Sequence, residues 1–390
     1  MIGEMKMTRP FFTESHELFQ KSLRSYLDKN VRPYFDSWER EKEVPLSFWK
    51  DLGELGYLCP WADESYGGIE ADFGYSAILG EELERVGTGL MGPGVHNDIV
   101  MPYIEAFGTE EQKQKWLTKA TTGELISSVA MTEPGTGSDL SAITTTAVKN
   151  GDSYVLNGEK IFITNGSLSN FVVVVCKTDS NAKKAHQGLS LIVVDATEQP
   201  VPGFKKGKKL EKVGQHTGGT SELIFEDCEV PAIHLLGEEG KGFYYLMDKL
   251  QQERLTVAIS AMASCERMLE LTLDYVKQRH AFGKPVSSFQ NTQFKLAELA
   301  TEIQIGRTFV DQLIVKHIDG EDIVNEVSMA KWWTTDLAKK VAGECMQLHG
   351  GYGYMEEYEI ARRYRDVPVA SIYAGTNEIM KTIIAKHLGM

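Results

Sequence analysis

Five short stretches carry the residue types that chemistry needs. Thr132-Glu-Pro-Gly-Thr-Gly-Ser138-Asp139 sets glycines beside hydroxyl donors, so backbone can approach a flat ligand closely while Thr and Ser bond to it. Alone, the stretch is equally well explained as a turn. Phe162-Ile-Thr-Asn165-Gly166 offers an aromatic face and a donor. Arg279-His-Ala-Phe282-Gly283 is followed by Phe289-Gln290, then by Gln347-Leu348-His349-Gly350-Gly351-Tyr-Gly-Tyr354, and last by Tyr373-Ala374-Gly375-Thr376-Asn377-Glu378.

Other patterns carry little. Gly87-Thr-Gly89-Leu-Met-Gly92 matches GxGxxG, but that fingerprint works only between a strand and a helix, where a helix N-terminus faces the pyrophosphate. Here it follows the helical run Glu81 to Val86 and precedes Pro93, so it reads as a helix exit and loop. The nine histidines show no metal-ligand spacing and no GxSxG elbow occurs, which leaves metal and serine-hydrolase chemistry unsupported. Asn165-Gly-Ser167 matches a glycosylation acceptor, idle without a secretory route. Lys205, Lys206, Lys208 and Lys209 could reach a phosphate, though a solvated basic loop is the favoured reading.

The elements that must position these residues fall into three zones. From Pro10 to about Leu125 the periodicity is helical, with Leu18, Leu23 and Leu27 and then Phe48, Leu52 and Leu55, punctuated by Pro33, Pro45, Pro60 and Pro102. From about Ile126 the signal turns to strands: Phe171 to Cys176, Leu189 to Val194 and Leu223 to Phe225, with a hairpin expected at Asn157-Gly158 between Tyr154-Leu156 and Ile161-Ile163. From about Gly242 long helices return; Leu296, Leu299, Ile303, Val310 and Leu313 keep a bundle-like stripe, and Asp319-Gly320 suits its helix end. Helices with segregated strands argue for an α+β fold in three domains, 1–125, 126–237 and 238–390. At 390 residues, two or three domains are expected.

Composition excludes several classes. The net charge of -14 argues against general nucleic-acid binding, which rests on Lys and Arg neutralising phosphates. No apolar run is long enough to span a membrane. Met1 to Phe12 lacks a secretory h-region, and five scattered cysteines (Cys59, Cys176, Cys228, Cys265, Cys345) without a CxxC pair suit reduced thiols in a cytoplasmic compartment.

Together, in this order and over almost the whole chain, the five stretches resemble the acyl-CoA dehydrogenase family, most of all its long-chain members, then the isovaleryl ones. The resemblance implies an N-terminal helical domain, a middle β-barrel-like domain and a C-terminal four-helix bundle. It implies FAD as cofactor, acyl-CoA as substrate, electron-transferring flavoprotein as acceptor and a homotetramer. By position, the run Val129 to Ser138 (Val129, Met131, Thr132, Gly137, Ser138), with Phe162, Ile163 and Thr164, would line the isoalloxazine and ribityl chain; many members carry Trp where Phe162 stands. Arg279, Phe282, Gln290, Gln347, Leu348, His349, Gly350 and Gly351, with Thr376, Asn377 and Glu378, would hold the adenosine-diphosphate part, partly across a subunit interface. Ser138, Tyr244, Gln251, Gln252, Glu253, Arg254, Ala374 and Gly375 would line the substrate site. His186 and Gln187 align loosely with a loop touching CoA.

The family reaction removes a proton from Cα and a hydride from Cβ, the hydride going to flavin N5. A carboxylate suits the first task once burial raises its pKa. Most members carry this base as Glu directly after the Tyr of the C-terminal motif, where this chain has Ala374. Long-chain and isovaleryl members place it on the first helix of the C-terminal domain, which here is Glu253. On composition alone Glu253 would be an ordinary exposed glutamate; its place, together with Ala374, marks it as the base. A backbone N–H at Ala374 and the flavin ribityl 2′-hydroxyl would stabilise the thioester oxygen. The expected role is fatty acid β-oxidation. Rival readings are a branched short-chain dehydrogenase, a flavin monooxygenase or nitroalkane oxidase on the same fold, and a nucleic-acid-binding flavoprotein, which would need a basic extension.

Overall fold

The computed structural model describes residues 9–390. The reading of Met1 to Phe12 therefore falls mostly on residues outside that range. The chain opens with α1 (Glu14–Asn30), α2 (Phe35–Glu41), α3 (Leu46–Glu54), α4 (Phe73–Val86), α5 (Gly92–Gly94), α6 (Met101–Phe107) and α7 (Glu110–Thr121). Between α5 and α6 the helix widens into a π-turn, Val95–Val100. The caps are chemical: Asp72 accepts from Gly74 N–H at the start of α4, and Thr109 forms a capping box with Gln112 at α7.

Strands β1 (Ser127–Ala130), β2 (Thr146–Asn150), β3 (Ser153–Ile163), β4 (Phe171–Lys177), β5 (Leu189–Asp195), β6 (Phe204–Lys209), β7 (Ser221–Pro231) and β8 (Leu235–Leu236) form one sheet ordered β6-β7-β3-β2-β4-β5-β8, with β1 parallel to β4. Alternation along β4 separates two cores. Phe171, Val173 and Val175 pack with helical residues such as Trp116 and Leu246, while Val172, Val174 and Cys176 pack with Leu156 and Phe225 of the sheet. Helix α7 is tied to the end of this sheet because Gln112 Nε2 donates to the carbonyls of Ile233 and Leu235 at 2.7 and 3.0 Å.

A minor hairpin, β9 (His280–Ala281) with β10 (Lys284–Pro285), separates α8 (Gly242–Gln278) from α9 (Gln290–Ile318); α10 (Val324–His349), α11 (Glu359–Asp366) and α12 (Asn377–His387) follow. Leu296, Leu299, Ile303, Val310 and Leu313 of α9 all enter the bundle core beside Leu255, Met262 and Leu269 of α8. Asp319 caps α9 and Gly320 follows at φ +74°, as the sequence predicts. Gly87 to Gly92 is a helix exit and loop, with no strand before it. All five cysteines are buried and free.

Three local expectations are corrected. Asn157-Gly158 is no hairpin turn: β3 runs straight through it, and the hairpin closes at Gly151 (φ +61°) between Asn150 and Ser153. Gly158 is there because a Cβ would meet Thr145 Oγ1 at 2.4 Å, at a point where the register against β7 shifts. The lysine run is an edge strand, β6, with Lys205 paired to Glu226 at 2.6 Å and Lys209 to Glu43 at 2.7 Å. Leu18 and Leu55 are half exposed or more: Leu18 lies on the side of α1 opposite Leu23 and Leu27, and Leu55 lies past the end of α3.

Candidate active site

A cleft of about 200 Å³ opens where the three helical and strand regions meet. One wall is α4 with Ser76, Ala77, Leu83 and Glu84; the next is the π-turn with Val95, Asp98 and Ile99. The end of β1 contributes Val129, Met131 and Thr132, and the end of β3 contributes Phe162, Ile163 and Thr164. Helix α8 supplies Glu253, Thr256, Val257 and Ser260, and Tyr373 and Ala374 close the far side.

Each wall is held for a local reason. The register of β3 against β7 shifts between Lys160 and Ile163, and Phe162 takes φ +62°, so this bulge turns its ring into the cleft. Phe162 stays 65% exposed, an uncovered aromatic face. The β1 end is pinned by Lys160, which is fully buried and donates to Met131 O and Glu133 Oε1, both at 2.9 Å. Glu133 also accepts from the N–H groups of Thr144 and Thr145 at 2.7 and 2.8 Å. Burial pushes the Glu133 carboxyl up, but those bonds and Lys160 outweigh it and hold the carboxyl at about 2.

Glu253 stands on the cleft side of α8. Its Oε2 is sealed from solvent without a hydrogen-bond partner. Burial pushes its pKa up to about 7, only partly opposed by Arg254 and Lys331. In the same cleft Ala374 takes φ +55°, rare for a residue with a Cβ, and no acceptor among the described residues takes its N–H. A carboxyl pushed up to about 7 and a backbone N–H without an acceptor among the described residues therefore line one cleft.

The remaining predicted residues are distributed. Arg279 and Gln347 to Gly351 gather in a second, shallower depression with Tyr275 and Tyr352, and share no residue with the Glu253 cleft. Phe282 is almost wholly exposed beside Phe289, and Gln290 begins α9. Thr376 caps α12 and Glu378 lies in its first turn. The Asn377 amide is taken up by the fold, donating to Trp332 O and Asp336 and accepting from Lys331. Lys331 also donates to Gly375 O at 2.7 Å, which fixes the turn after Ala374. Gly137 and Ser138 are exposed and do not line the cleft. Gln251 and Gln252 do not line it either: Gln251 bonds Glu321 O and Ile323 N–H, and Gln252 bonds Asp98 O and His317. Arg254 is buried behind Glu253 with its Nε unpartnered. Tyr244 is half exposed and meets His186, whose neighbour Gln187 shares the same short 3-10 turn.

Sequence reasoning missed Ser76, Glu84 and Asp98. All three sit in helical runs whose polar residues read as solvent-facing, and no motif marks them. Burial pushes Glu84 up to about 7 against Arg363, 3.4 Å away.

An apolar wall with a bare aromatic, rimmed by Thr132 and Thr164, fits a large flat ring with polar edges, and the buried carboxyl opposite fits proton removal. These features define a flavin-dependent dehydrogenase. Comparison with known proteins is specific. Family models for the acyl-CoA dehydrogenase N-terminal, middle and C-terminal domains match residues 13–124, 128–228 and 240–389. The long-chain specific acyl-CoA dehydrogenase of Rattus norvegicus mitochondria is 46% identical over 382 residues, 97% of this chain and 88% of that protein. The crystal structure of an acyl-CoA dehydrogenase from Geobacillus kaustophilus is 62% identical, with TM-score 0.96 over 98% of this chain and 100% of that one. A Mycobacterium smegmatis glutaryl-CoA dehydrogenase in complex with FADH2 is 28% identical, with TM-score 0.89 over 97% and 95%. The chain belongs to the acyl-CoA dehydrogenase family. It is an oxidoreductase acting on CH–CH groups, with FAD as cofactor. No helix among the described residues is long and apolar enough to cross a membrane.

Proposed function

We propose that the chain oxidises a fatty acyl-CoA to the trans-2-enoyl thioester, with Glu253 as the base, as a step of fatty acid β-oxidation. The observation that carries this reading is Glu253 itself: a carboxyl in the cleft, sealed without a partner and pushed up to about 7. A base poised near working pH combines the right protonation state with a strong drive to take the proton. When bound, FAD would supply the acceptor for the hydride leaving Cβ. Val129, Met131, Phe162 and Ile163 would pack on its ring, with Thr132 and Thr164 toward its polar edge. The free N–H of Ala374 would donate to the thioester oxygen as enolate-like charge grows there, the kind of preorganised donor typically worth about 3 kcal/mol. Arg279 and the Gln347 to Gly351 segment, gathered apart from Glu253, suit the adenosine-diphosphate part of a cofactor bridging subunits of a homotetramer. Electron-transferring flavoprotein is the acceptor we expect, and the cytoplasm the compartment.

Anaerobic titration of the yellow protein with acyl-CoAs of graded length and branching tests the reading. Bleaching by straight long chains is expected. Bleaching confined to short branched thioesters would move the assignment to an isovaleryl-like enzyme. No bleaching by any thioester would overturn it.

A further inference from the structure

Besides Glu253 and Glu84, the cleft is lined by a third carboxyl, Asp98, that the reaction does not use. Asp98 lines it with only 4% of its surface exposed, and Ser76 lines it with 3%. Among the described residues, Asp98 Oδ1 and Ser76 Oγ find no hydrogen-bond partner beyond each other. Around them the cleft is apolar, with Ala77, Val95, Ile99 and Val257. No ion pair reaches Asp98 among the described residues, and burial pushes its pKa up to about 7, moderated only by the nearby Ser76.

The fold holds this carboxyl in place. Asp98 belongs to the π-turn Val95–Val100, a widening that redirects side chains and recurs at functional sites. That turn is pinned on both sides. Gln252 Nε2 donates to Asp98 O at 2.7 Å, and His317 bonds Gln252 Oε1 at 3.0 Å. The neighbouring Asn97 accepts from Cys59 N–H at 3.0 Å and donates to Tyr57 O at 2.9 Å. A rigidly presented carboxyl with only the Ser76 hydroxyl beside it keeps acceptor capacity to spare, which is costly in an apolar slot unless something entering the slot pairs with it. A plain alkyl chain offers no donor.

We propose that Asp98 and Ser76 form a polar subsite selecting acyl thioesters whose chain carries a hydroxyl beyond Cβ. This rests on the dehydrogenase reading for the placement of the acyl chain, and it names a substrate class within it. The hydroxyl donates to the Asp98 carboxyl, while Ser76 can accept or donate to either group.

The test uses holoenzyme carrying Glu253→Gln, so that binding is read without turnover. Dissociation constants are taken from perturbation of the flavin spectrum by saturated acyl-CoAs of equal length, unmodified or with one hydroxyl at each position beyond Cβ. One hydroxyl position should bind about tenfold tighter than the plain chain, the net worth of one hydrogen bond formed in a buried site. Adding Asp98→Ala should erase the preference, and Asp98→Asn, which keeps an acceptor oxygen and the side-chain shape, should retain part of it. Equal binding of every thioester, or a preference that survives Asp98→Ala and Asp98→Asn unchanged, overturns the proposal. Bleaching of the unsubstituted enzyme by plain chains alone sinks the subsite but leaves the dehydrogenase intact. Failure of any thioester to bleach it sinks the dehydrogenase reading, while the binding series still decides the subsite.

Discussion

Helices α4 and α8 each serve two buried polar regions, and the regions treat carboxyls in opposite ways. On one face Glu81 of α4 meets Arg9 at 2.6 Å and Arg307 at 2.7 Å, while Glu266 of α8 meets Arg307 at 2.7 Å. Arg9 also reaches Asp311 at 2.7 Å. Burial pushes Glu81 up, but the two guanidiniums more than reverse that and hold it at about 2. On the other face Glu84 of α4 and Glu253 of α8 look into the cleft, and both are pushed up to about 7. Depth does not account for the contrast, since Glu81 is buried while Glu84 and Glu253 are only partly so. What differs is how many cations reach the carboxyl: paired carboxyls join helices, whereas the unpaired one at Glu253 is free for chemistry.

The largest effect should come from the unpaired side. Glu253→Gln should lower the rate of flavin reduction by acyl-CoA about 10²–10⁴-fold, the usual worth of a positioned base. Flavin absorbance and thioester binding should be retained. Anaerobic stopped-flow reduction measures this, and a normal rate would mean that the proton leaves by another route.

The paired side should fail differently. Glu81→Gln leaves Arg9 and Arg307 short of charge in a buried site, at a cost of about 3–5 kcal/mol. Denaturant unfolding should register that loss, while the rate of reduction per bound flavin stays near normal. If the rate collapses with the stability, the two faces are not separable.

Lys160 tests an intermediate case, a buried ion pair that touches the cofactor wall. Lys160→Met removes the donor to Met131 O and Glu133, at a cost of up to about 3–5 kcal/mol for a buried pair that loses one partner. Glu133 keeps its two backbone donors, so the fold should survive while the β1 end loosens. Flavin should dissociate more readily, as read by the flavin-to-protein absorbance ratio after dilution. An unchanged ratio would confine Lys160 to holding the sheet.

How much of this could be read in the sequence follows from the same contrast. Helical and strand zones were legible because burial imposes periods of 3.6 and 2 that survive in composition, as along α9 and β4. The Asn157-Gly158 hairpin was misread because a glycine needed for close approach to Thr145 looks like a glycine needed for a turn. Phe162, Ala374 and Glu253, singled out through the family resemblance, all line the cleft. Gln251, Gln252 and Asn377 share the same motifs but spend their amides on neighbouring helices, which spacing alone does not report. Asp98 and Glu84 were invisible because their burial depends on which way a helix is rotated in the assembled fold.

The smallest predicted effect separates the two faces by pH. Glu253 titrates at about 7, above its ordinary range, so its contribution to stability is full below that range and is lost as pH rises through 7. Glu81 is depressed to about 2, so its contribution is present above the ordinary range and is lost as pH falls toward 2. Replacing Glu253 by Gln removes a group that must charge in a dry site, so the variant's holoenzyme should melt about 2–4 °C above wild type at pH 8 and level with it at pH 5. The Glu81→Gln deficit should instead shrink as pH is lowered toward 3. With Glu253 as the proposed base, kcat/KM of the unsubstituted enzyme should rise through pH 7, since only the ionised carboxylate can take a proton. A Glu253→Gln melting difference of the same size at pH 5 and 8 would show that water reaches the carboxyl, and the contrast between the faces would then rest on cations alone.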